Sequence, residues 1–142
     1  KALLRASGFP GMKVLQFAFD SREESDYLPH NYTQNSVVYT GTHDNTTTAD
    51  WELSAPAGDV AFARRYLDVE GDADFTRRFI RAALASVSDT AVMPDWLGLG
   101  AEARINTPST LGGNWLWRMD PAALTDALAA DILALTKLYG RC

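Results

Sequence analysis

The chain has 142 residues, 46% hydrophobic and 22% charged, the composition of an ordinary globular domain with a core of its own. It carries 13 basic and 18 acidic residues, a net charge of −5 with no Lys/Arg-rich run, which argues against nucleic acid and anionic membrane as partners. No apolar run approaches the roughly 20 residues that cross a bilayer, no signal-peptide pattern opens the chain, and the single Cys142 allows neither an internal disulfide nor a cysteine metal site. The expected location is the cytoplasm.

The first residue is Lys1 rather than Met, and "KALLRAS" enters directly into helix-forming residues, so the chain reads as a piece of something longer. Gly8 suits the position after a helix end, and Pro10 bars continuation. "MKVLQFAFD", residues 12–20, is a mostly apolar run of strand length, with Leu15, Phe17 and Phe19 on one face. Residues 21–36 are polar and read as a loop, and "VVYTGT", residues 37–42, is the next strand. Two helices follow, over "DVAFARRYLDVEG" and "ADFTRRFIRAALASVSD". The second carries Phe75, Phe79, Ala83 and Val87 on one stripe, widened by Ile80 and Leu84.

"TAVM" before Pro94 is a short strand, and residues 97–119 form a long loop dense in Gly, Pro, Asn and Trp. A last helix is expected from Asp120 as cap and Pro121 at its first position, with Leu124, Leu128, Ile132, Leu135 and Tyr139 on one face and Gly140 ending it. Near-continuous apolar strands alternating with amphipathic helices argue for an α/β fold with parallel strands. Polar residues gather just after each strand: Asp20, then His43 and Asp44, then Asp95. In β/α architectures the loops after the strand C-termini build the functional site.

The sharpest of these clusters is Gly41-Thr42-His43-Asp44-Asn45 at the end of the second strand. An ionised Asp44 could accept hydrogen bonds from a substrate, with His43 beside it as donor. Asp44 and Asn45 could equally make an Asx turn or cap a helix. Metal binding is disfavoured, because His43 and His30 are the chain's only histidines and His30 sits in a polar loop. Trp115 and Trp117 lie beside Asn114 and Arg118, a mixture of aromatic faces and polar donors that suits a sugar cleft and would also suit plain core packing. Asn106 is either a hydrogen-bonding site residue or a turn residue before Pro108.

Five stretches together resemble the 4-α-glucanotransferases, the amylomaltase or disproportionating-enzyme family. They are "GFPGMKVLQFAF" (8–19), "YLPHNY" (27–32), "VVYTGTHDNTTT" (37–48), "LGLGAEARINTPST" (97–110) and "GNWLWRM" (113–119). They occur in the family's order and span nearly the whole chain. The resemblance implies a TIM-type (β/α)₈ barrel of which residues 1–142 are the incomplete C-terminal portion, holding about the last three strands and their helices. A full barrel takes about 250 residues.

It also implies a retaining, cofactor-free and metal-free transfer of α-1,4-glucan segments between maltooligosaccharides, with an Asp nucleophile and a Glu acid/base on earlier strands. Asp44 matches the family's transition-state-stabilising carboxylate and His43 its substrate-binding neighbour. Phe17 matches a position on the acceptor side, with Asn106 and Trp115 as further sugar contacts. The family's "EDLG" acid/base motif is not in this sequence, so the resemblance leaves one of three catalytic carboxylates here and implies an inactive fragment, and the raw sheet edges of three barrel strands favour self-association. Thr46 stands where the family commonly has Asp, and Pro94 where Gln is usual. A non-catalytic α-glucan-binding or scaffold module is the alternative.

Overall fold

The computed structural model describes residues 2–71, 74–91 and 95–142. Lys1, Ala73 and the 92–94 segment, which holds the end of the expected "TAVM" strand and Pro94, lie outside the described residues. Helix α1 spans Ala2–Ser7 and ends at Gly8, whose φ of 72° is the left-handed conformation that a residue without Cβ adopts freely. Strand β1 is Gly11–Val14, β2 is Ser36–Tyr39 and β3 is Asp89–Ala91. They form one sheet in the order β1-β2-β3 with both pairings parallel, Met12 opposite Val37 and Val38 opposite Thr90.

The first strand is shorter than the sequence suggests. After Val14 the backbone tightens into a 3-10 turn over Leu15–Ala18, so the side chains no longer alternate between two faces. Leu15 and Phe19 are fully buried while Phe17 is 52% exposed. The expected shared face of Leu15, Phe17 and Phe19 is therefore corrected: Phe17 rides on a turn beyond the strand, edge-on to Tyr27.

Helix α2, Thr48–Ser54, was not expected. Thr47 caps it by accepting a hydrogen bond from Asp50 N–H. Helix α3 is Ala57–Tyr66 and α4 is Phe75–Ala85, capped by Asp74. The predicted stripe on α4 is buried through Phe75, Phe79, Ile80, Ala83 and Leu84, but Val87 lies past the helix end and is exposed. The last helix is likewise shorter at its start. Pro121–Ala123 is a separate 3-10 turn held by Asp120, and α5, Asp126–Leu138, takes its cap from Thr125, so Leu124 is left exposed.

Two apolar clusters hold these pieces together, and α4 contributes to both. One joins Leu15, Phe19 and Leu28 to Ala63, Leu67, Phe75 and Phe79, with Trp51, Phe62 and Tyr66 against its edge. The other places Val38 of β2 against Ile80, Ala83 and Leu84 of α4 and Leu135 of α5. The helices thus cover the sheet face that carries Val38, while Met12, on the opposite face, remains 61% exposed. Arg77 and Asp131 form an ion pair between α4 and α5, and the guanidinium holds the Asp131 carboxyl below the usual carboxylate range.

Phe19 contacts Trp51, Phe62, Tyr66 and Phe79 through its ring. Phe19→Ala should cost about 3–5 kcal/mol, the range for a buried aromatic truncated to Ala, whereas Phe17→Ala should cost less than about 1 kcal/mol. Urea denaturation of the two variants checks the contrast, and equal losses would contradict this account of the 15–19 turn.

Candidate functional site

Three parallel strands bring their C-terminal ends to one edge of the sheet, and the segments that follow them meet there. The segment after β2 makes the site. Asn45 closes a tight turn by accepting from Thr42 N–H at 3.0 Å and Thr42 Oγ1 at 2.7 Å. The turn and cap roles that the sequence left open for Asp44 are filled by Asn45 and Thr47. That leaves Asp44 for other work.

Gly41 makes the turn possible by close approach. A Cβ there would stand 2.8 Å from Nε2 of Gln16, a buried side chain that itself donates to Thr46 C=O at 2.9 Å. Gln16 N–H also donates to Thr40 C=O at 3.1 Å, tying the end of β1 to the end of β2.

Asp44 has both of its polar neighbours on the same oxygen. Asn106 Nδ2 donates to Oδ1 at 2.6 Å, and His43 Nε2 lies 3.2 Å from that atom. Oδ2 has no protein partner among the described residues, and the side chain is 49% exposed. One oxygen is fixed and the other is presented to solvent. A carboxylate held this way can accept hydrogen bonds from hydroxyl groups of a ligand without rearranging first.

The loop after β3 supplies the rest of the frame. Asn106 N–H donates to His43 C=O at 3.1 Å, and Arg104 donates to Asp44 C=O and to Asn106 C=O, both at 2.9 Å. Trp115 lies with its ring centroid 5.0 Å from that of His43, tilted by 38°. Its N–H donates to Ile105 C=O at 2.8 Å, and its φ of 63° puts a bulky residue in the left-handed region. Such strain persists only where the surroundings over-determine it. The Trp115 side chain is nonetheless more than half exposed.

Four of the five expected site residues therefore come together: His43, Asp44, Asn106 and Trp115. Phe17 does not join them through any ring contact or hydrogen bond among the described residues; its ring partner is Tyr27. Asn114 and Arg118, read as donors beside the tryptophans, are used within the loop. Asn114 accepts from Thr107 N–H, and Arg118 donates to the Trp115 and Trp117 carbonyls. Asp20, the polar residue after β1, pairs with Arg22, whose hydrogen bonds hold its carboxyl at about pKa 2. Among the described residues there is no group of three or more metal-ligating side chains, and no helix is long and apolar enough to cross a membrane.

The residues that the sequence did not single out are Gln16 and Arg104. Both donate to backbone carbonyls of the loop, and such a role leaves no periodicity or motif to read.

The sequence profile of the 4-alpha-glucanotransferase family matches residues 1–125. The chain belongs to that family. It is 45% identical over 141 residues to the 4-alpha-glucanotransferase of Clostridium butyricum, covering 97% of this chain and 29% of that protein. It is 42% identical over 150 residues to the 4-alpha-glucanotransferase of Thermus thermophilus, covering 99% of this chain and 30% of that protein. The amylomaltase from Streptococcus agalactiae, solved in complex with acarbose, superposes with a TM-score of 0.91 at 38% identity, over 99% of this chain and 29% of the amylomaltase. The chain thus spans less than a third of the length of these relatives.

Proposed function

We propose that the whole protein carrying these residues transfers α-1,4-glucan segments between maltooligosaccharides by a retaining double displacement, with Asp44 as the transition-state-stabilising carboxylate. The observation that supports this most is the arrangement of the Asp44 carboxylate, with Oδ1 held by Asn106 beside His43 Nε2 and Oδ2 open at the C-terminal edge of a parallel sheet. In glycoside chemistry, hydrogen bonds to ring hydroxyls strengthen as oxocarbenium character develops, and a fixed carboxylate is suited to take them. His43 is the neighbouring sugar contact, and Asn106 both orients Asp44 and stands beside the bound ring. Trp115 offers an apolar face, and Phe17 a more distant contact on the acceptor side. The homologous enzymes' names support glucan transfer by the whole protein.

In this reading residues 1–142 are the C-terminal portion of a catalytic (β/α)₈ barrel, with β1, β2 and β3 as its last three strands. The nucleophile and the acid/base lie on strands outside this sequence. The isolated 142 residues therefore have one of the carboxylates that the reaction needs and do not turn over. The edge positions of β1 and β3 in the three-stranded sheet, together with exposed Met12, favour self-association of the isolated chain.

Three measurements test this. The isolated chain should release no glucose from maltotriose, and turnover would refute the assignment of its missing carboxylates. Light scattering should find it larger than a monomer; a monodisperse monomer would remove the self-association. In the whole protein, Asp44→Ala should lower kcat by about 100-fold or more, the scale for loss of a preorganised electrostatic group; near-normal turnover would sink the role given to Asp44.

A further inference from the structure

Asp95, at the start of the 3-10 turn Asp95–Leu97 after β3, is 5% exposed and has no cationic partner among the described residues. Its carboxylate instead accepts three hydrogen bonds. Thr40 Oγ1 donates to Oδ2, Thr48 Oγ1 donates to the same oxygen at 3.0 Å, and Thr48 N–H donates to Oδ1 at 2.9 Å. Thr40 is the last residue before the Asp44 turn and Thr48 is the first residue of α2 after it. Both are fully buried. A single side chain from the turn after β3 therefore grips both ends of the segment that carries His43 and Asp44.

We propose that Asp95 is a positioning residue that fixes Asp44 for the reaction assigned above, on which this inference rests. The geometry supports a role specific to the loop. Asp95 is followed by Trp96, which packs against the Val38–Ile80–Leu84 cluster and lies under the Arg77 guanidinium at 5.8 Å, so the anchor end is tied to the core. The other end of the linkage is the loop itself, where Gln16 and Arg104 each hold a carbonyl. Gln16 acts at Thr46 and Arg104 at Asp44, both inside the loop, whereas Asp95 sets the separation of its two ends. That separation fixes the path of the intervening turn, and with it the distance from Asp44 Oδ1 to Asn106.

A carboxylate is required because all three neighbours present hydrogens. An amide must turn its NH₂ either at Thr48 N–H, donor against donor, or at two hydroxyls that must both reverse. Either choice loosens one end of the clamp while preserving side-chain volume.

The test is a double-mutant cycle in the whole protein, using maltotriose. Asp95→Asn should lower kcat about tenfold or more with KM changed less than about threefold, since displacement of a transition-state group falls on kcat. Adding Asp95→Asn to Asp44→Ala should cause no further loss, because no carboxylate is left to position. Independent, multiplicative losses would overturn the proposal. Thr40→Val, which removes one donor, should reproduce the non-additivity with a smaller loss, and it carries the test if Asp95→Asn does not fold.

Hydrogen exchange on the whole protein provides a readout that does not need activity. Asp95→Asn should speed exchange across residues 41–48 and leave α4 unchanged, and an unaltered loop would also overturn the proposal. If Asp44→Ala retains full activity while the loop still loosens, the catalytic reading fails and the clamp stands.

Discussion

Parallel pairing of β1, β2 and β3 is the constraint on which the rest of this structure depends. An antiparallel sheet would alternate strand ends between its two edges, and a parallel one sends all of its C-terminal ends to the same edge. The segments leaving Val14, Tyr39 and Ala91 therefore start side by side, and the side chains that hold the site come from all three: Gln16, the 40–48 turn, and the 95–106 segment. Parallel strands need long crossovers, and the one between β2 and β3 supplies α2, α3 and α4. The apolar stripe of α4 seats Val38 on one side and Phe19 on the other, so the packing that stabilises the helix also fixes where β2 ends.

Within the loop the polar residues divide the work. Ten residues after Val38, the chain must leave a strand, turn, and start a helix, and each of those changes leaves backbone groups without partners. Asn45 closes the turn, Thr47 caps α2, and Gln16 and Arg104 take inward-facing carbonyls. With those groups satisfied by neighbours, neither His43 nor the Asp44 carboxylate is needed for the loop's own backbone. A functional side chain can then be half exposed without the loop collapsing onto it.

The sequence showed this arrangement unevenly, and the reasons are physical. The α4 stripe and the Val38 strand were legible because burial on one face imposes a period that survives any detail of the turns. Helix α2 was not, because seven residues give barely two turns and "TADWELS" carries no stripe longer than that. The 3-10 turn at Leu15–Ala18 was misread because "LQFAF" alternates apolar residues as a strand would, while the chain tightens after Val14 to place both Leu15 and Phe19 in the core. The start of α5 was placed at Asp120 for a related reason. Asp-Pro is a strong helix opening, but here it opens a 3-10 turn, and Thr125 makes the real cap. At the site, the position of His43 and Asp44 after a strand pointed to the cluster that they form with Asn106 and Trp115. Asp20 occupied the matching position after β1 and proved to belong to a local pair with Arg22.

That contrast between two carboxylates bears on what each can do. Arg22 binds Asp20 through both of its oxygens, so a ligand hydroxyl would have to displace a guanidinium to reach it. Asp44 is oriented by the Asn106 amide on a single oxygen, and the nearby Arg104 is directed at backbone carbonyls instead. A neutral donor fixes the direction of a carboxylate while leaving most of its charge uncompensated. Holding the Asp44 carboxylate by the Asn106 amide, and both ends of its loop by the separate buried carboxylate of Asp95, keeps rigidity and available charge from competing for the same atoms.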